Sequence, residues 1–304
     1  MLNNFRGYER EGETIFRLCK RTLLTINLRK ISSFSLSMLE KIIDITVSAG
    51  EIIMKLREDG FQTKTKSDSF DFVTSADIKS EEYILNILSE EFPEDSILSE
   101  EKGKIENDAS RVWMVDPLDG TKNFKNGGTG FSIMIGLYQD GKPVLGVVHA
   151  PAKDLTYFAQ RGYGSYVRMT GNDHLLHVSK TKYLKDSIMV TRISYGEKRD
   201  EDRLEQFFDV KERIPESSVG IKLGLIASGN ADFHVNTQFK ASKWDTCASQ
   251  IILEEAGGRI TDLCGHSLDY NQSENKWLSS FVASNGILHK YILDELQRIY
   301  PSRE

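Results

Sequence analysis

Three cysteines in 304 residues, Cys19, Cys247 and Cys264, with no C-x-x-C among them, are too few and too scattered for a disulfide framework or a thiolate metal site. They suit a reducing, cytoplasmic setting, with buried free thiols as the expected state. Positive charge is also scarce. Lys and Arg number 39 against 45 Asp and Glu, a net charge of −6, which is the wrong sign for a protein that grips a nucleic-acid backbone. No apolar run approaches the length of a membrane span, and no segment repeats or is of low complexity. From Thr14 to Ser37 acid is missing altogether, while Arg17, Lys20, Arg21, Arg29 and Lys30 are present. Such a basic, Ser-containing stretch has the composition of a transit peptide, or of residues ahead of a spurious start. Charges interrupt every apolar core that a secretory signal would need. Residues 1–37 are therefore expected to be an extension outside the fold, with one domain over 38–304 in two halves, 38–179 and 180–304.

What remains is an ordinary globular composition, 39% hydrophobic and 28% charged, long enough to bury a full core. Apolar residues from Leu39 to Leu56 recur at helical spacing, so a helix is expected from Met38 to about Glu58, closed by Asp59-Gly60. The polar segment Thr63–Asp71 shows no regular pattern. A second helix follows Asp77 and ends by Pro93, and Ser96–Glu101 is a short strand finishing in acid. From Phe131 to Met169 alternating apolar residues and Gly-containing turns such as Asp140-Gly141 predict an antiparallel meander. Beyond Lys180 helices and strands alternate, and Lys243–Ala256 is a helix stopped by Gly257-Gly258.

The chain is organised around Trp113-Met114-Val115-Asp116-Pro117-Leu118-Asp119-Gly120-Thr121-Lys122-Asn123-Phe124. Trp113 to Val115 has the apolar character of a buried strand, which Asp116-Pro117 is expected to end. Gly120-Thr121 suits a helix opening with exposed backbone N–H groups. Two carboxylates beside bare N–H groups combine what holds a metal with what receives a phosphate. Taken alone, Asp119 is equally an N-cap, Asp77 a capping-box partner of Thr74, Glu100-Glu101 a solvated pair and Asp245 an N-cap.

Longer strings narrow the choice. DPLDGTKNF resembles the D-P-[ILV]-D-G-T-x-x-F signature of the inositol monophosphatase superfamily, the lithium-sensitive, magnesium-dependent phosphomonoesterases. WDTCASQIILEEAGG resembles its second signature, and Asp71–Asp77 its D-x-V-T-x-x-D station. Ser99-Glu100-Glu101 is similar to the family's G-E-E, with Ser in place of Gly. The resemblance covers roughly residues 38–300. It implies an α+β fold of alternating αβαβα layers and a two- or three-metal site. Glu100, Asp116 and the Leu118 carbonyl would hold one Mg²⁺, and Asp116, Asp119 and Asp245 a second. The Gly120 and Thr121 N–H groups, with Asp245, would bind substrate, while Asp77, Thr121 and Glu100 would serve catalysis, Asp77 hydrogen-bonded to Thr121. Crowded carboxylates support a metal independently, since two at 4 Å repel by about 4 kcal/mol at an effective dielectric near 20. All-oxygen ligands select Mg²⁺, with Mn²⁺ as a substitute.

The expected substrate is a small phosphate ester, with neither nucleic acid nor membrane as a partner. Lys122, Lys243-Trp244-Asp245-Thr246-Cys247-Ala248 and the G-G-x-[IL]-T-D run at Gly257–Asp262 resemble the 3′(2′),5′-bisphosphate nucleotidase branch. This branch acts on adenosine 3′,5′-bisphosphate, and Arg192 or Lys222 could meet its second phosphate. Asn123-Phe124 is instead the ending of inositol monophosphatases. Gln238 stands near the place where those enzymes put a Glu for the ring hydroxyls, and Thr191–Tyr195 lacks the His of many nucleotidases.

Overall fold

A computed structural model describes residues 33–65, 72–107, 110–193, 207–237, 241–271 and 280–299. Cys19, Gln238 and Ser194-Tyr195 lie outside them, as does the basic stretch up to 32. The order along the chain is α1 (Ser33–Asp59), β1 (Thr63–Thr65), β2 (Phe72–Thr74), α2 (Ser75–Glu91), β3 (Ser96–Ser99), β4 (Gly103–Ile105), β5 (Arg111–Asp119) and α3 (Thr121–Lys125). The meander follows as β6 (Ser132–Gln139), β7 (Lys142–Ala150), β8 (Leu155–Gln160), β9 (Gly164–Met169) and β10 (Asn172–Leu175). The remainder is β11 (Ile188–Arg192), β12 (Glu212–Glu216), α4 (Val219–Ala227), β13 (Phe233–Asn236), α5 (Lys243–Glu255), β14 (Arg259–Asp262), β15 (Phe281–Ser284) and α6 (His289–Ile299).

An eight-stranded sheet, β10-β9-β8-β7-β6-β5-β3-β4, holds the meander, and a five-stranded sheet has the order β12-β11-β13-β15-β14. Alternation along β6 explains how the large sheet is covered on both faces. Ile133 and Ile135 join Ile42, Ile43, Ile53 and Ile84 from α1 and α2. Met134 faces the opposite way, with Ile221 of α4 and Ile251 of α5. That second core continues to Ile260, Phe281 and Ala283 of the small sheet. Beyond it Val282, Leu288 and Ile292 close the layer under α6. The layers run α1α2, large sheet, α4α5, small sheet, α6, the αβαβα stack that the resemblance implied.

The turn between β6 and β7 has positive φ at both Asp140 (51°) and Gly141 (82°), as a tight hairpin requires. Register pairs Gly136 with Gly146 across these strands. A Cβ on Gly136 would stand 2.7 Å from Ala248 N, and one on Gly146 would stand 2.3 Å from Ala248 O. This glycine pair lets the α5 backbone rest directly on the sheet, which fixes the helix that carries Asp245. Gly146→Ala is expected to force α5 outward and cost about 1–3 kcal/mol, the usual range for overpacking. The denaturant midpoint at constant m-value measures it, and an unchanged midpoint would contradict this packing.

Four expectations are corrected. The first helix begins at Ser33 rather than Met38, because the apolar periodicity that marks a buried face shows from Leu39, which is buried, and not ahead of it in the sequence. Within the irregular segment Thr63–Thr65 pairs antiparallel with Phe72–Thr74; all three residues of β1 are exposed, so no alternation announces the strand. The strand of the central motif does not end at Asp116-Pro117. It runs to Asp119 with a register shift between Asp116 and Asp119, and Pro117 sits in that irregularity, where a missing N–H is tolerated. Finally, Cys247 is buried but Cys264 is exposed. Cys264 lies in the turn after β14, where Asp262 Oδ1 accepts its N–H and that of His266. No helix among the described residues is long and apolar enough to cross a membrane.

Candidate active site

The C-terminal end of β5 brings the acids together. Asp116 is 2% exposed, and its Oδ1 accepts the Leu118 N–H at 3.0 Å, folding the irregular stretch back on itself. Burial drives its pKa well above the usual carboxylate range, and the charges of Glu100, Asp119 and Asp245 push the same way. These couplings place the four acids, from three separate segments, in one electrostatic site. Glu100 reaches it because β3 runs parallel to β5 and its N–H bonds to Val115 O at 3.2 Å. Asp245 reaches it from the first turn of α5. It is not the N-cap of that helix: Ser242 holds that position, and Asp245 Oδ2 accepts the Ser242 N–H at 2.6 Å to close a capping box.

Asp119 is held by α4. Its Oδ2 accepts from Ser218 Oγ at 2.6 Å and Gly220 N at 3.1 Å. Burial raises its pKa to about 6, opposed by these two bonds and by the Lys222 charge. Ser218 also caps α4 by accepting the Ile221 N–H. In the sequence Ser218 shows only as a polar residue before an apolar run, the signal of a helix start. Nothing local announces that its hydroxyl reaches Asp119.

On the other side stands Asp77. Its Oδ2 accepts the Thr74 N–H at 2.7 Å and the Thr74 hydroxyl at 2.5 Å. This capping box leaves Oδ1 facing the Thr121 hydroxyl at 3.1 Å. The same hydroxyl lies 2.9 Å from the Leu118 carbonyl. Burial lifts the Asp77 pKa to about 6 against the Thr74 bonds, with a smaller upward push from Glu100. Gly120 precedes α3 with φ +89°, and a Cβ there would meet Gly130 O at 2.6 Å, so glycine is required twice over. Helix α3 has five residues, too few for a sizeable dipole. Any anion at this turn would be met by the Gly120 and Thr121 N–H groups themselves, which precede the first intrahelical bonds, from Asn123 and Phe124 to the Gly120 carbonyl.

The donor chemistry fits a hard divalent cation. Carboxylates and the Leu118 carbonyl supply oxygen only, and burial disfavours the ionised forms of Asp116 and Asp119. Among the described residues, Asp262, Cys264 and His266 form the trio whose ligand atoms lie within 4.8 Å of one another.

The sequence matches the Inositol monophosphatase family over residues 36–300. It is 32% identical over 259 residues to 3′(2′),5′-bisphosphate nucleotidase CysQ of Aggregatibacter actinomycetemcomitans, covering 83% of this chain and 92% of that protein. It is 29% identical over 240 residues to inositol-1-monophosphatase of Caulobacter vibrioides, covering 77% and 90%. The fold superposes on the Thermotoga maritima IMPase structure with TM-score 0.75 at 27% identity, covering 87% of this chain and 98% of that one. Agreement in sequence over this length, and in the layered fold, makes the protein a member of the inositol monophosphatase family and a metal-dependent phosphomonoesterase.

Proposed function

We propose that the chain is a Mg²⁺-dependent 3′(2′),5′-bisphosphate nucleotidase, hydrolysing adenosine 3′,5′-bisphosphate to AMP and phosphate in the cytoplasm. Residues 38–304 would form the catalytic unit, with α4 and α5 of its second half completing the β5 site of its first. Lys222 carries the substrate assignment. It lies on α4, is 4% exposed, and its charge acts on Asp119. An ammonium in this position is suited to a charge-assisted contact with a second phosphate. The relative named as a bisphosphate nucleotidase supports the same substrate class.

Glu100, Asp116 and the Leu118 carbonyl would hold one Mg²⁺, and Asp116, Asp119 and Asp245 a second; a third ion, or Mn²⁺ in their place, suits the same oxygen donors. Bound there, the metal neutralises phosphate charge and lowers the pKa of water. Thr121 Oγ, donating to Asp77 Oδ1, keeps lone pairs with which to accept a proton of the attacking water and aim it at phosphorus. As that proton passes to Oγ, the Thr121 hydroxyl would hand its own proton to Asp77 Oδ1, leaving hydroxide to attack and a neutral Asp77 carboxyl. The Gly120 and Thr121 N–H groups orient the phosphate, and Asp245 contacts the ester side.

The test compares phosphate release from adenosine 3′,5′-bisphosphate and inositol 1-phosphate, in wild type and Lys222→Met, with and without Li⁺. Wild type should favour the bisphosphate in kcat/KM and be inhibited by Li⁺. Lys222→Met should lower that constant for the bisphosphate about 10–100-fold more than for inositol 1-phosphate, the worth of a charge-assisted contact. Preference for inositol 1-phosphate in wild type would instead favour an inositol monophosphatase, to which Asn123-Phe124 and the Caulobacter relative point.

A further inference from the structure

Helix α2 touches the site at more than Asp77. Ser80 Oγ donates to the Pro117 carbonyl at 2.9 Å, inside the irregular end of β5. Glu81 is wholly buried, and its Oε1 accepts the N–H groups of both Glu101 and Lys102 at 3.0 Å. Asp77, Ser80 and Glu81 stand at i, i+3 and i+4, so they share one face of the helix. That face therefore grips the Thr121 turn, the β5 end and the turn after β3, all segments carrying the catalytic groups proposed above. The other oxygen of Glu81, Oε2, is buried without a hydrogen-bond partner among the described residues. Buried acidic groups with one oxygen orphaned are rare in folds selected for stability alone.

We infer that Glu81 is a positioning residue for Glu100: its carboxylate fixes the backbone of the Glu100–Lys102 turn and so presents the Glu100 side chain to a divalent cation. The inference rests on the proposed role of Glu100 as a metal ligand. Groups that orient a metal ligand from behind typically account for about 10–100-fold in metal affinity. Two N–H groups converging on one carboxylate oxygen make a rigid hinge-stop at the residue that follows Glu100. The turn is also tied by the Glu100 N–H to Val115 O and by three β3–β4 residue pairs, Ile97↔Ile105 to Ser99↔Gly103, but Glu81 meets the two residues that follow Glu100.

Calorimetric titration of Mg²⁺ into the substrate-free, EDTA-treated full chain provides the test, for wild type, Glu81→Ala and Glu81→Gln. Glu81→Ala should weaken Mg²⁺ binding by about 10–100-fold. Glu81→Gln keeps an acceptor oxygen for the two N–H groups and should bind within about threefold of wild type. At saturating Mg²⁺ the substrate KM of both variants should stay near that of wild type. If Glu81→Ala does not fold, Glu81→Asp, which draws the oxygen back by one methylene, should show the same loss. Unchanged Mg²⁺ binding in Glu81→Ala or Glu81→Asp would overturn the inference, as would a Gln variant no better than Ala. A wild type that binds Mg²⁺ in this Glu81-dependent way but hydrolyses neither phosphate ester would leave the inference standing and remove the proposed substrate.

Discussion

In Asp116→Asn, phosphate release at saturating Mg²⁺ is expected to fall by more than about 10³-fold while the fold is retained. The magnitude follows from position. Losing a single electrostatic contact to a transition state costs about 10²–10³-fold, and Asp116 is the proposed ligand shared by both ions. Retention of the fold follows from the local bonding, because Asn offers the same Oδ1 to the Leu118 N–H. The sign of the stability change is opposite to that of the activity change. Burial and three neighbouring acids hold the Asp116 pKa above its unfolded value. At pH values above the ordinary carboxylate pKa the unfolded chain therefore gives up this proton more readily than the native one, which costs stability, and the cost disappears as pH falls below that ordinary pKa. In EDTA at pH 7 the Asn variant should melt at a higher temperature than wild type, and the gap should close towards pH 4. Adding Mg²⁺ should raise the melting temperature of wild type and leave the variant almost unmoved. A variant that keeps wild-type turnover, or one that gains the same thermal shift from Mg²⁺, would contradict the assignment.

Thr121→Ala should lower kcat by about 10²-fold, the scale for losing an assisted proton transfer. Asp77 stays in place in this variant, since its Oδ2 remains bonded to the Thr74 N–H and hydroxyl. What disappears is the Thr121 hydroxyl that donates to Oδ1 at 3.1 Å, and with it the proposed link to the attacking water. Thr121→Ser restores an oxygen at the same place and should recover most of the rate. Calorimetric Mg²⁺ affinity should be the same in all three proteins, because Thr121 is outside the proposed ligand set. Equal kcat in Thr121→Ala and wild type would rule out the Asp77–Thr121 pair as the water-aligning device.

Much of the stack was legible because it is local. Thr74 and Asp77 sit at capping-box spacing and form that box, and Asp140-Gly141 makes the hairpin turn its residues allow. The DPLDGTKNF string lies at the end of a buried strand, as its apolar lead predicts. What was not legible depends on partners far along the chain. Ser218 meets Asp119 across 99 positions, and Glu81 meets the Glu101 and Lys102 N–H groups across 20 and 21. Neither contact leaves a periodic trace. The continuation of β5 through Pro117 was hidden for another reason: a bulge removes the ladder bond that proline would have broken. The seat of α5 on Gly136 and Gly146 shows in sequence as two small residues in neighbouring strands, without any sign of which backbone approaches them.

The most direct test of the account is a Mg²⁺ titration of phosphate release, starting from EDTA-treated protein with adenosine 3′,5′-bisphosphate as substrate. The proposed ligand set of Glu100, Asp116, Leu118, Asp119 and Asp245 predicts no release in EDTA and a saturable rise as Mg²⁺ is restored. Release that persists unchanged in excess EDTA would contradict it.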